Sequence, residues 1–380
     1  MGYLVLIGTR KGLFTATSDN RTDWEVKGPV ILDKDGFTAV AEIYSVAADA
    51  ATGRILIGAD TFFGPSIWRS GDYARTWSEP EKAPMAFPQD LPYRPLDFSE
   101  AAGIDQPESD QNNTVKRIWQ LAFGPGERVW AGVEPTSLWV SDDGGQTFAF
   151  NQPLWDHPEH TTWASGAGGP AVHTIVPDPA DPEALTIAIS SGGIYQTDDD
   201  GQSWTGITKG ITADYSPEDA PESGQCIHKV TRGTDSTLFV QSHGPAYRST
   251  RPDGGWTNIS GDLPTNFGFA MIAHPTLDGN VIAWPCTESM ERTPPGRQVG
   301  PWRTTDSGET WNAWTDGLPT DPYFGGVLRD GACTDAAADP GWYFGTRCGD
   351  IWTATDSGGT WNSIAAHLPD VLCVRAIETP

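Results

Sequence analysis

The chain has 380 residues, 38% hydrophobic and 19% charged, with 50 Asp and Glu against 24 Lys and Arg for a net charge of −26. That balance excludes the basic stripe that nucleic-acid binding needs and sets the protein against anionic membranes. No apolar run reaches the length of a membrane span, and the five cysteines (Cys226, Cys286, Cys333, Cys348 and Cys373), odd in number and without a CxxC pair, give neither a disulfide framework nor a zinc ribbon.

The first residues, MGYLVLIGTRKG, read as a strand and a turn rather than as a secretory leader, so a reducing, cytoplasmic setting is the expectation. From there one phrase recurs seven times: an aromatic-rich strand, an Asp/Gly turn, then Thr or Ser and an aromatic. It runs through Leu13-Phe14 to Trp24, Ile67-Trp68 to Trp77, Leu138-Trp139 to Phe148, and Ile194-Tyr195 to Trp204. Tyr247-Arg248 to Trp256, Trp302-Arg303 to Trp311 and Ile351-Trp352 to Trp361 complete the series. The terminal aromatics lie 50 to 71 residues apart, enough for a four-stranded blade with its loops. Two more strand-like runs precede each phrase, such as His173-Thr-Ile-Val and Leu185-Thr-Ile-Ala-Ile in the fourth copy.

The pattern predicts an all-β chain, residues 1–380, folded as one seven-bladed β-propeller. The seventh phrase is followed by another strand, residues 371–377, whereas the N-terminus begins at what is elsewhere the second strand. The C-terminal strand is therefore expected to become the innermost strand of the N-terminal blade, removing an open edge.

The clearest turns, TDDDGQSW, TTDSGETW and ATDSGGTW, resemble the Asp-box of BNR-repeat propellers, Ser-x-Asp-x-Gly-x-Thr-Trp. In such a turn the Asp accepts backbone hydrogen bonds, Gly supplies a positive φ and the Trp packs beneath the hairpin. One Asp per turn makes no oxygen cage, so calcium is not expected there. The phrases GTRKGLF, GQCIHKV and PAVHTIVPDP are similar to a bacterial group labelled glycosyl hydrolase-like or exo-sialidase-like. The resemblance implies that the boxes are structural and occupy one face. Ligands are then expected on the other face, among the loops before each innermost strand and after each second strand. A sialidase itself is not expected: its arginine triad is not marked by any motif, and Tyr93-Arg94-Pro95 lacks the Ile of the Phe/Tyr-Arg-Ile-Pro signature.

Insertions at 79–116, 152–170, 210–225 and 285–300 fall in loops of that ligand face, the first containing the acidic stretch 97–113. His173 and His228 open successive innermost strands, His243 follows a second strand, and Cys226 lies two residues before His228. Two readings stand for the histidines: packing between blades, or a site at the mouth of the channel. In the second, His173, His228 and His243 hold a divalent metal, zinc or similar, with a position left for water. His173 and His228 are then catalytic together with Glu134 or Glu288 as proton acceptor. Arg10, Arg117, Arg347 and Asp60 would bind substrate. The function expected is a hydrolase-like enzyme acting on a glycoside or other small molecule. The alternative is a non-catalytic scaffold for protein assembly or ligand binding, as in a photosystem assembly propeller.

Overall fold

Short β-branched and aromatic runs broken by Gly, Asp and Pro turns form antiparallel meanders. The computed structural model describes residues 2–380 except 35, 36, 40, 81–83, 90, 92–113, 167, 214–220, 252–254 and 289. The acidic stretch 97–113 and Tyr93-Arg94-Pro95 lie outside the described residues. Six four-stranded sheets and one three-stranded sheet form the seven blades. The three-stranded blade, Glu42–Ala48, Ile55–Thr61 and Gly64–Ser70, carries only an Arg69–Ser78 bridge at its outer edge. A separate hairpin pairs Leu32–Lys34 with Phe37–Ala39. None of the described helices is long and apolar enough to cross a membrane.

The innermost strands are Val371–Thr379, Glu42–Ala48, Arg117–Phe123, Val172–Pro177, Ile227–Arg232, Gly268–Ala273 and Ala332–Thr334. Each touches the next around the ring. The ring closes as the sequence predicts: Val371–Thr379 pairs antiparallel with Gly2–Thr9, from Gly2 opposite Thr379 to Thr9 opposite Val371. Gly8 permits this closure, because a Cβ there would lie 2.4 Å from the Cys373 sulfur and 2.6 Å from the Ile43 carbonyl oxygen.

Four turns that follow third strands repeat one hydrogen-bond pattern around Asp72, Asp143, Asp199 and Asp306. The hydroxyl two residues earlier donates to Oδ1 at 2.7–2.8 Å, and Oδ2 accepts the Thr or Ser hydroxyl four residues on. Slight burial opposes ionisation at Asp72 and Asp143, but the turn donors outweigh it; at Asp199 the Ser203 hydroxyl leads, and at Asp306 the Thr310 N–H. All four are lowered to about 2. The carboxylate's donors are thus the turn's own, which stiffens the hairpin.

The tryptophans that end these phrases reach beyond their own hairpins. The indole N–H of Trp204 donates to Asn151 Oδ1 (3.1 Å), Trp256 to the Ile207 carbonyl (2.6 Å), Trp311 to Ile259 (2.7 Å) and Trp361 to Trp314 (2.9 Å). Each acceptor immediately follows the outer strand of the preceding blade. Gly308, at φ +90°, lets the Asp306 turn approach the same neighbour, since a Cβ would meet Ile259 at 2.6 Å. At the remaining seams this link is lacking: Trp24 bonds within its own turn, the Trp77 indole N–H has no acceptor among the described residues, and Phe148 has no side-chain N–H to offer.

Removing residues 371–380 should abolish a single cooperative unfolding transition, since it exposes the Gly2–Thr9 edge and the core beneath it; a truncated chain that melts like the intact one would show that the ring does not need this strand. Trp311→Ala should cost about 3–5 kcal/mol in urea unfolding while leaving ligand binding on the opposite face intact in the folded fraction. A fully stable variant with binding lost would reverse the assignment of faces.

Candidate functional site

Antiparallel alternation puts the start of every innermost strand and every turn from second to third strand on the face opposite the Asp turns. There the mouth of the central channel opens into a cavity of about 1330 Å³, to which all seven blades contribute. Arg10 comes from the first blade, Glu42, Tyr44, Asp60 and Thr61 from the second, and Arg117 and Trp119 from the third. Ser190 and Ser191 represent the fourth, Cys226, His228 and His243 the fifth, Phe269 and Arg292 the sixth, and Arg329, Asp330 and Arg347 the seventh. The insertion at 152–170, folded as a helical turn at Gln152–Trp155 and a 3-10 turn at Pro158–Thr162, lends Ala164, Ser165, Gly166, Gly168 and Gly169 to the wall.

The two histidines that open successive strands make the same link with different nitrogens. His173 Nε2 donates to the Ile227 carbonyl at 2.9 Å, and its Nδ1 accepts from the Thr174 hydroxyl at 3.0 Å. The ring is fully buried and both nitrogens are used. The expectation of His173 as ligand and catalyst is therefore corrected: it packs between blades. His228 makes the equivalent link to the next blade through Nδ1, 2.6 Å from the Gly268 carbonyl oxygen. That bond holds the proton on Nδ1 and leaves Nε2 an acceptor, which takes the Nδ1–H of His243 at 3.2 Å. Phe269 stacks on His228 with ring centroids 4.6 Å apart, and Phe267 meets His243 edge-on at 5.0 Å. Cys226 completes the group: one ligand atom from each of Cys226, His228 and His243 lies within 4.8 Å of the others.

The opposite wall is an acid–base network. Arg117 lies 3.6 Å from Asp60 and 3.5 Å from Glu134, with its guanidinium over the Tyr44 ring at 4.4 Å. Trp119 donates its indole N–H to Glu134 at 3.1 Å, and Tyr44 its hydroxyl to Glu42 at 2.6 Å. Burial raises the carboxyl pKa of Glu134 and of Asp60 above the ordinary value, more than Trp119 and Arg117 lower them. Burial and the Glu42 hydrogen bond push Tyr44 up to about 12. Arg10 pairs with Glu42 at 3.0 Å and with Asp370 at 3.1 Å, and Arg347 also pairs with Asp370. Glu288 does not join them. It is exposed in a turn three residues beyond the strand Val281–Pro285, and the turn it opens delivers Arg292 to the cavity instead.

Four residues at the channel centre escaped the sequence reading. Asp330 accepts from Lys229 at 2.9 Å and from Arg375 at 2.8 Å, tying blades five, seven and one. Burial opposes its ionisation, yet Lys229 and Arg375 hold its pKa far below the carboxylate range. Beside it, Arg329 donates Nε–H to the His228 carbonyl at 2.5 Å and lies over Trp119, with no acceptor for its terminal amino groups among the described residues. Its place three residues before the innermost strand Ala332–Thr334, close to where Arg117 opens its own strand, was the available signal.

Burial lowers the pKa of both His173 and His228 well below 6.5. Both are neutral when folded and bind protons when unfolded, so stability is present above about pH 6.5 and falls as pH drops below it. Urea unfolding at pH 5.5 should show about 2–3 kcal/mol less stability than at pH 7.5, the Asp turns staying ionised throughout. Equal stability at the two values would show that the two rings titrate freely in the folded protein.

No family model matches the sequence, and no curated protein matches it. Solved structures do. A YCF48 structure with bound D1 peptide is 14% identical, with a TM-score of 0.51 over 88% of this chain and 86% of that one. The GH74 enzyme of Niastella koreensis is 15% identical, with a TM-score of 0.56 over 97% of this chain but 65% of its own. A protein from Lactobacillus plantarum is 12% identical, with a TM-score of 0.58 over the full length of both. At these identities the likeness is one of fold, and the fold is that of a seven-bladed β-propeller.

Proposed function

We propose that the chain is a hydrolase-like enzyme whose channel-mouth cavity takes a small anionic molecule. One observation carries this: in a protein of net charge −26, the cavity wall gathers five arginines against three carboxylates. Among them Arg329 presents terminal N–H groups that meet no acceptor among the described residues. A guanidinium held in a partly closed cavity is a seat for a carboxylate or phosphate. Arg10, Arg117, Arg347 and Asp60 line the same cavity, and the paired His228 and His243 lie beside Arg329. His228, kept neutral by burial, and His243 beside it can pass a proton to or from bound water, and Glu134, with its pKa raised, is a second proton carrier at the rim. A GH74 enzyme among the propellers of like fold is consistent with hydrolysis on this scaffold, though a shared fold does not transfer function.

The Asp72, Asp143, Asp199 and Asp306 turns support assignment to the BNR class, and five unpaired cysteines support a reducing, cytoplasmic setting. A second reading, a protein-docking propeller, is favoured by four exposed apolar side chains on the same face: Phe62 (95% exposed), Phe63, Met290 and Phe324. YCF48, solved with a D1 peptide, uses this fold for binding.

The test is a thermal-shift and turnover panel of phosphate monoesters, sugar acids and neutral glycosides, run on the wild type and Arg329→Gln. Anionic compounds should raise the melting temperature of the wild type, with affinity weakened about 30-fold or more in the variant. Equal responses in both proteins would remove Arg329 from the site. Tight peptide ligands lost in Phe62→Ser/Phe63→Ser, with no response to any anion, would favour docking.

A further inference from the structure

The Cys226, His228 and His243 cluster has a chemistry the preceding reading does not use. Its two nitrogens, 3.2 Å apart, already have about the separation two ligands take on a tetrahedral zinc, given Zn–N bonds of about 2.0–2.1 Å. His228 is preset as a ligand: its other nitrogen is tied to the Gly268 carbonyl, the outer-shell bond that fixes tautomer and ring angle at metal sites. The stacking by Phe269 and the edge contact of Phe267 leave both rings little freedom to turn. Cys226 and His228 lie on one side of their strand, and His243, in the following turn, is held by its backbone N–H on the Cys226 carbonyl at 2.9 Å. Local sequence thus brings a thiol and two imidazoles, a donor set suited to a borderline divalent cation, to one point of the cavity wall.

We infer that Cys226 Sγ, His228 Nε2 and one imidazole nitrogen of His243 bind a single zinc-like divalent cation, with the fourth position open to the cavity. Binding takes one proton from the Cys226 thiol and leaves both imidazoles neutral. If Nδ1 of His243 is the ligand, its proton moves to Nε2. Charge sets the affinity. The thiolate offsets one of the metal's two charges, while Arg329, whose charge interacts with Cys226, and Arg292, whose charge interacts with His228, oppose the other. An anion at the open position would neutralise that excess and touch both metal and Arg329, so metal and anion should bind with positive coupling. Only this identity of the fourth ligand rests on the anionic-substrate reading; the three protein ligands do not.

The experiment is metal analysis of untagged full-length protein equilibrated with zinc, with His367→Asn as a surface control. One zinc per chain is expected in the wild type and the control. Cys226→Ser and His243→Ala should each weaken binding beyond the roughly 10–100-fold of an outer-shell change, with folding verified by melting. Cobalt exchanged into the wild type should give a thiolate-to-cobalt charge-transfer band that Cys226→Ser lacks. Inorganic phosphate should tighten zinc about 5-fold or more. Absence of stoichiometric zinc, or zinc unchanged in both variants, overturns the inference. Phosphate stabilisation that needs Arg329 but occurs in zinc-free protein separates the two: the anion reading then stands even when the metal site fails. Zinc bound without any phosphate effect retains the metal and removes the anion.

Discussion

The main-chain hydrogen bonds between Gly2–Thr9 and Val371–Thr379 join the two ends of the chain, and the geometry of everything at the channel mouth follows from them. A propeller site has no element of its own; it is the place where seven separate strand starts and turns meet. Arg10 reaches Asp370 only across this seam, and Arg375 of the closing strand is what meets Asp330 of the last blade. The covalent distance between Arg10 and Arg347 is nearly the whole chain, yet both bond one carboxylate, Asp370. Closure is therefore a condition for the site's electrostatics as much as for the edge it removes.

Those electrostatics run against the chain as a whole. The acidic residues of the Asp turns sit at the far face, each carboxylate engaged by the hydroxyls and N–H groups of its own turn. Cations are drawn inward instead, and at the centre Asp330 is shared by Lys229 and Arg375. Removing one partner from such a buried group costs far more than the net value of the intact set. Arg329 stands next to this triad with no carboxylate partner among the described residues. The separation by face lets an acidic protein gather arginines at its channel mouth.

Much of this was legible because the repeat is strict. Aromatics at regular intervals give the blades, the surplus strand after Trp361 gives the closure, and the rule that turns after second strands converge gives Arg10, Asp60 and Arg347. What stayed hidden depended on single torsions. His173 and His228 occupy equivalent places and both reach the first carbonyl of the next inner strand, but one uses Nε2 and the other Nδ1. That ring rotation decides which imidazole turns its other nitrogen toward a second histidine, and no sequence pattern records it. Glu288 was misplaced for a simpler reason: its strand stops at Pro285, and the following turn carries the side chain outward. Arg329 carried no motif and fell in a segment that reads as loop.

The tryptophan links have a direction. Trp204, Trp256, Trp311 and Trp361 each donate backward, to an acceptor 47 to 53 residues earlier in the chain. On a ribosome, where the N-terminal part emerges first, each new hairpin therefore finds its docking partner already outside the exit tunnel, and no blade from the fourth onward has to wait for one not yet made. Only the first blade waits for a strand made after the seventh, since Val371–Thr379 follows that blade in the chain. The nascent propeller is thus an open arc that grows by addition at one end and turns into a ring when this strand emerges.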